Sequence, residues 1–111
     1  TWSMNKQNES EGYRIIVSSK AALMMKEHVA FLAQVNVETA LHLADIFRAA
    51  LLSLRELPYR CPFLVSEQIP RNKYRKLIVA EQYLFLYQVI DQTVYVDYIV
   101  DCRQDYEWLL K

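Results

Sequence analysis

One glycine, three prolines and two cysteines are all that 111 residues contain of the three types that most constrain a backbone. With Gly12 alone free of a Cβ, few positions suit a positive φ angle, and the chain should consist mostly of regular elements joined by short loops. Cys61 and Cys102 form no CxxC or metal-ligand pattern, so neither a disulfide framework nor a zinc site is expected. His28 and His42 stand apart without HExxH spacing and read as ordinary helix-surface or core residues; no metal and no cofactor is called for. Net charge is also missing: thirteen basic and thirteen acidic side chains cancel, which argues against a whole-surface electrostatic grip on nucleic acid. No apolar run approaches the 18 residues of a membrane span and no secretory signal is present, so a soluble protein of the reducing cytoplasm is expected.

What the chain does have is 53% hydrophobic residues, enough for one buried core at this length and too few residues for two. Residues 1–11 are polar apart from Trp2 and Met4 and lack any period. They are set aside as a disordered extension, in part a possible tag with Met4 as the natural start, and 12–111 is read as a single domain. Tyr13–Val17 is β-branched and runs into Ser18-Ser19, a strand delivering the chain to a helix N-cap. Ala22, Met25, Val29 and Leu32 mark one face of a helix from Lys20 to about Asn36. Ala40, Leu43, Phe47, Ala50, Leu54 and Leu57 mark a second, from Val37 to Leu57, stopped by Pro58. With almost no linker between them, the two helices should fold back as a hairpin that needs a sheet to cover.

That sheet comes from three aromatic and β-branched runs, Tyr74–Ala80, Tyr83–Ile90 and Thr93–Val100, separated by the polar pairs Glu81-Gln82 and Asp91-Gln92 that suit tight hairpins. The fold class is therefore α+β, in the order β-α-α-β-β-β with a final helical turn: a helical hairpin on a mainly antiparallel four-stranded sheet. Strict alternation puts Val94, Val96, Tyr98 and Val100 on one face of the last strand and Tyr95, Asp97, Ile99 and Asp101 on the other. In the preceding strand Leu84 and Leu86 lie opposite Tyr83, Phe85 and Tyr87. Neither face is polar, so one is expected to receive a second partner, unless the proline-containing loop 59–73 and the C-terminal turn cover it.

Tyr13-Arg-Ile-Ile-Val-Ser, the alanine-rich helices, Leu54-Arg-Glu-Leu-Pro58, Tyr74-Arg-Lys-Leu, Tyr83-Leu-Phe-Leu-Tyr87, Thr93-Val-Tyr-Val and Arg103-Gln-Asp-Tyr-Glu107 together resemble the RelE/ParE superfamily of toxins from bacterial type II toxin–antitoxin, or plasmid stabilisation, modules. The resemblance runs from about Tyr13 to Leu110. It implies a cytoplasmic growth inhibitor neutralised by a cognate antitoxin, whose docking face is placed on Leu84, Leu86, Tyr95 and Ile99. It also implies one of two targets. RelE-like members cut messenger RNA on the ribosome, and ParE-like members poison DNA gyrase. If the chain is a nuclease, Arg75, Arg103 and Tyr106 are its candidate catalytic residues. As a binding protein it presents Arg75, Lys76, Arg103, Asp105, Tyr106 and Trp108 to its target. The arginine that many RNA-cutting members carry after the tyrosine of the Tyr83-like strand is Leu84 here, and Asp101-Cys-Arg-Gln104 stands where many have His-Gly-Arg-Arg. These departures favour the ParE-like reading over the endoribonuclease. A third reading, a degenerate toxin that serves only as an antitoxin-binding co-repressor, stays open. Arg103 and Asp105 suit a local surface pair, and Cys102 reads as a small buried thiol rather than a nucleophile.

Overall fold

The computed structural model describes residues 12–104 and 106. The elements run β1 (Arg14–Val17), α1 (Ser19–Ala33), α2 (Val37–Ser53), a 3-10 turn (Pro58–Arg60), β2 (Arg75–Val79), β3 (Tyr83–Ile90) and β4 (Thr93–Asp101). They form a four-stranded sheet in the order β1-β4-β3-β2, with β1 parallel to β4 and the other pairs antiparallel. The expected α+β architecture of a helical hairpin on a mainly antiparallel sheet is present. The final helical turn, along with Asp105 and Trp108, falls outside the described residues.

Local chemistry explains the boundaries. Ser18 accepts a hydrogen bond from the Ala21 amide at 2.9 Å, which caps α1, while its hydroxyl donates to the Asp97 carbonyl at 3.0 Å and ties the helix start to β4. Asn36 caps α2 in the same way through Thr39. Helix α2 ends four residues before the expected stop at Leu57. Pro58 disfavours a helical residue before it, Leu57 turns to φ 52°, and its side chain faces solvent instead of joining the stripe. The Arg60 guanidinium then donates to the carbonyls of Ser53, Glu56 and Leu57, placing a cation where α2 leaves its last carbonyls unpaired. In α1 the buried alanine is Ala21 rather than Ala22, while Met25, Val29 and Leu32 pack against the core as expected.

Scarcity of glycine does not keep the chain out of left-handed backbone. Leu57, Asn72, Ala80, Glu81 and Asp91 all have positive φ. Ala80 and Glu81, at φ 54° and 60°, occupy the two central positions of a turn closed by the Gln82 amide on the Val79 carbonyl at 3.2 Å. Positive φ at both central positions is what a type I′ turn requires, met here without its preferred Asn-Gly pair.

The main core lies between hairpin and sheet, where Phe47 sits edge-on to Tyr83 and tilted against Phe85 amid Ile15, Val94 and Val96. A second cluster of Leu64, Ile69, Tyr74, Leu84, Leu86 and Val100 fills the other face. Loop 59–73 therefore covers much of the face expected to receive a partner. The Leu64 amide bonds the Tyr74 carbonyl at 2.7 Å and the Lys76 amide bonds the Pro62 carbonyl at 3.0 Å, pinning one arm of the loop beside β2.

Strict alternation along β4 fails at Asp97. Tyr87 stands opposite Val96 and Leu86 opposite Tyr98, so Asp97 is an extra residue that reverses the facing of everything beyond it. Val94 and Val96 face the helices as Tyr83, Phe85 and Tyr87 do, but Tyr98 and Val100 face away. Ile99, opposite Phe85, turns inward and is 0% exposed. The four residues expected to form one open docking face thus separate. Ile99 belongs to the helix-side core, Leu84 and Leu86 are 5% and 0% exposed beneath the loop, and only Tyr95 remains half-exposed.

Candidate functional site

Arg75, Arg103 and Tyr106 do not converge. Arg75 stands opposite Tyr87 and Asp101 opposite Tyr83, so the two ends are four residues apart along β3, about 13 Å at the strand rise. Tyr106 packs with the loop-side cluster, on the face away from Arg103. Lys76, opposite Leu86, is on that loop-side face too, whereas Arg75 is on the helix side.

Arg75 is spent on the fold. Its guanidinium carbon lies 4.0 Å from the centroid of Phe63 and 5.1 Å from that of Tyr59, and its Nη1 donates to the carbonyls of Cys61 at 2.7 Å and Tyr59 at 3.2 Å. Two aromatic rings and two carbonyls are satisfied by one cation, which fastens the strand to the loop and the 3-10 turn. Beside it, the buried Tyr87 hydroxyl donates to the Pro58 carbonyl at 2.6 Å, and burial, with Cys61 nearby, pushes its ionisation upward.

On the loop side the extra residue in β4 aims Asp97 at Gln88, whose amide donates to the carboxylate at 2.9 Å. Tyr74 stands edge-on to Tyr98, and burial followed by the charge of Asp97 raises the ionisation of its phenol. Lys20 sits 5.5 Å above the Tyr98 ring. This cluster has a carboxylate where a phosphate site would want positive charge.

The polar groups that do converge lie at the far end of the strands, in a cleft of about 630 Å³ between the hairpin tip and the sheet. Arg103 wraps back onto Asp101, with Nε on Oδ1 at 3.1 Å, Nη2 on Oδ2 at 2.9 Å and the backbone amide on Oδ1 at 2.9 Å. Gln82 adds a fourth donor at 3.3 Å. These bonds, chiefly that from the Arg103 guanidinium, hold the Asp101 carboxyl below the usual carboxylate range. The expected partner of Arg103 was Asp105; the one it has among the described residues is Asp101. Its side chain is 68% exposed and, among the described residues, Nη1 makes no hydrogen bond, an oriented but charge-compensated fork.

His28, His42 and Tyr83 line the same cleft. The His28 Nε2 lies 2.9 Å from the Ile99 carbonyl, which can only accept, so this nitrogen carries the proton. The ring tilts against Tyr83 at 4.9 Å, and burial, reinforced by Asp101, raises the ionisation of that phenol. Sequence reading missed these three because they come from separate elements at no diagnostic spacing. Cys102 is exposed rather than buried, and Cys61 is the buried thiol. Among the described residues no group of three His, Cys, Asp or Glu side chains is placed to hold a metal ion, and no helix is long and apolar enough to cross a membrane. The site offers oriented donors beside an apolar wall that includes Leu43 and Ile46, a surface suited to recognition.

No protein-family model matches the chain, and no curated protein sequence does. Among solved structures, the fold is similar to a chain described as the chromosomal ParDE TA system from P. aeruginosa, with a TM-score of 0.64 and 16% identity, over 78% of this chain and 92% of that one. The chain has the ParE/RelE-like fold, with the order of strands and helices expected from the sequence resemblance.

Proposed function

We propose that the protein is the toxin of a type II toxin–antitoxin pair, a growth inhibitor that acts by binding DNA gyrase and is held inactive by a cognate antitoxin. The observation that carries this reading is the fate of the cations. A ribonuclease needs a base or its substitute, a positive charge free to meet the pentavalent phosphate and a proton donor for the leaving oxygen. Arg75 is enclosed by Phe63 and Tyr59, Arg103 is compensated by Asp101, and Leu84 is an apolar residue under the loop. The likeness to a chain of a ParDE system supports the same choice. In this reading Arg103 and Gln104, which line the cleft, face the target.

Induced expression in a bacterial host without an antitoxin tests the reading. Growth arrest with a DNA-damage response and intact messages is expected. Arrest with messages cut at ribosomes would replace it by the endoribonuclease, and harmless overexpression would leave only the co-repressor.

A further inference from the structure

Tyr83 carries a hydroxyl that the fold does not use. The residue is 7% exposed and lines the cleft at the hairpin tip, yet among the described residues its hydroxyl has no hydrogen-bond partner. A buried hydroxyl without a partner is costly, so one held in the wall of a cleft points to a ligand that supplies it. The ring is fixed in place. Phe47 stands edge-on to it at 5.1 Å, and His28 tilts against it at 4.9 Å while bonded to the Ile99 carbonyl. The raised ionisation of the phenol keeps its proton in place at neutral pH, so the group is a preorganised donor.

Charge limits what this donor meets. Among the described residues, the only Lys, Arg, Asp or Glu side chains that line the cleft are Arg103 and Asp101, which compensate each other. The Asp101 carboxylate already accepts four hydrogen bonds, from Arg103 and Gln82, and offers little to a cationic ligand. Arg103 already faces that carboxylate, so an anion gains no net positive field. An uncharged acceptor such as a peptide carbonyl suits the cleft better than a carboxylate, a phosphate or an amine.

A cleft of about 630 Å³ is the size of a small-molecule site, but its rim is not. The apolar wall of Leu43 and Ile46 continues through Phe31 onto the hairpin tip, where Phe31 and Val35 are 72% and 79% exposed and Val37 and Leu41 also face solvent. Exposed apolar side chains gathered in this way mark an interaction surface, and a small ligand seated in the cleft would leave them in water.

We propose that the cleft and the hairpin tip together receive a loop of the target protein that is uncharged at its centre: an apolar side chain packs on Leu43 and Ile46, a main-chain carbonyl accepts from the Tyr83 hydroxyl, and flanking residues cover Val35 and Val37. The toxin reading supplies the target's identity, on which this assignment rests; the cleft supplies its chemistry. Tyr83 then selects neutral segments by hydrogen bonding, and the tip adds apolar area.

The test uses the intact, nitrogen-15-labelled protein and three fragments with one side chain: N-acetyl-leucinamide, which is uncharged, N-acetyl-leucine, an anion, and leucinamide, a cation. The uncharged fragment should shift the amide resonances of His28, Tyr83 and Gln104 and bind several-fold more tightly than either charged one. Tyr83→Phe, with its fold confirmed by circular dichroism, should weaken that binding about fivefold, the worth of one hydrogen bond. Equal or tighter binding of a charged fragment, no shifts at about 50 mM, or an unaltered affinity in Tyr83→Phe would overturn the assignment. Val35→Ser with Val37→Ser, at exposed positions, should leave fragment binding unchanged yet raise about fivefold the amount of protein needed to inhibit purified gyrase by half. Gyrase inhibited equally by the unaltered protein, Tyr83→Phe and the tip variant would overturn the assignment and keep the toxin reading. Fragment binding as expected with no inhibition of gyrase would end that target and uphold the cleft's chemistry.

Discussion

Replacing Arg75 by alanine removes four contacts at once: rings at 4.0 and 5.1 Å and carbonyls at 2.7 and 3.2 Å. A hydrogen bond from a charged donor contributes about 1.5–3 kcal/mol when part-buried. The Cys61 carbonyl bond is of that kind, the Tyr59 one is exposed and worth less, and the cation–π contacts add about 0.5–1 kcal/mol each. These terms overlap, because one guanidinium geometry serves all four, so the expected loss is about 2–4 kcal/mol. Against a typical total of about 5–15 kcal/mol this is large enough to read directly from urea unfolding. Arg75→Lys should recover only a minority of it, since an ammonium keeps the charge but cannot face two rings and two carbonyls as a planar fork. A loss under about 0.5 kcal/mol in Arg75→Ala, accompanied by loss of growth arrest, would refute the structural role and return Arg75 to the target-binding surface.

Other perturbations probe separate parts of the account. Asp101 is held below its unfolded value by Arg103, so its contribution to stability is present above about pH 4 and fades as pH falls through the lowered folded value. Asp101→Asn should therefore flatten the acid limb of the stability curve below pH 4, as followed by circular dichroism, and leave its shape near neutrality unchanged; an unaltered acid limb would contradict the pairing. Ala80→Asn with Glu81→Gly supplies the residues a type I′ turn favours, and should stabilise the fold by about 1 kcal/mol in urea unfolding.

Much of this architecture is legible in the residues. Ser18 announces the start of α1, Pro58 the region where α2 must stop, and the aromatic runs the strands they become. What alternation cannot reveal is the extra residue at Asp97. Val96, Tyr98, Ile99 and Val100 are all apolar enough for either face, so nothing in the pattern signals the reversal that buries Ile99 under the helices. The role of Arg75 is hidden for a different reason. Tyr59 and Phe63 lie 16 and 12 positions upstream (75 − 59 and 75 − 63), and only the folded loop brings them to it. Arg103 was readable as a polar cation near the chain's end, but its partner depended on a backbone turn at Cys102 that points it back to Asp101. The cleft itself needs the hairpin and three strand ends together, which no local window contains.

Inhibition by binding rather than by cutting is tested most directly with purified gyrase, relaxed plasmid, ATP and a titration of this protein. The account predicts that supercoiling falls as the protein is added and that Arg103→Ala relieves the inhibition in a protein whose circular dichroism still shows the folded state. Full supercoiling at saturating protein, together with cleavage of a translated message that Arg103→Ala abolishes, would contradict it.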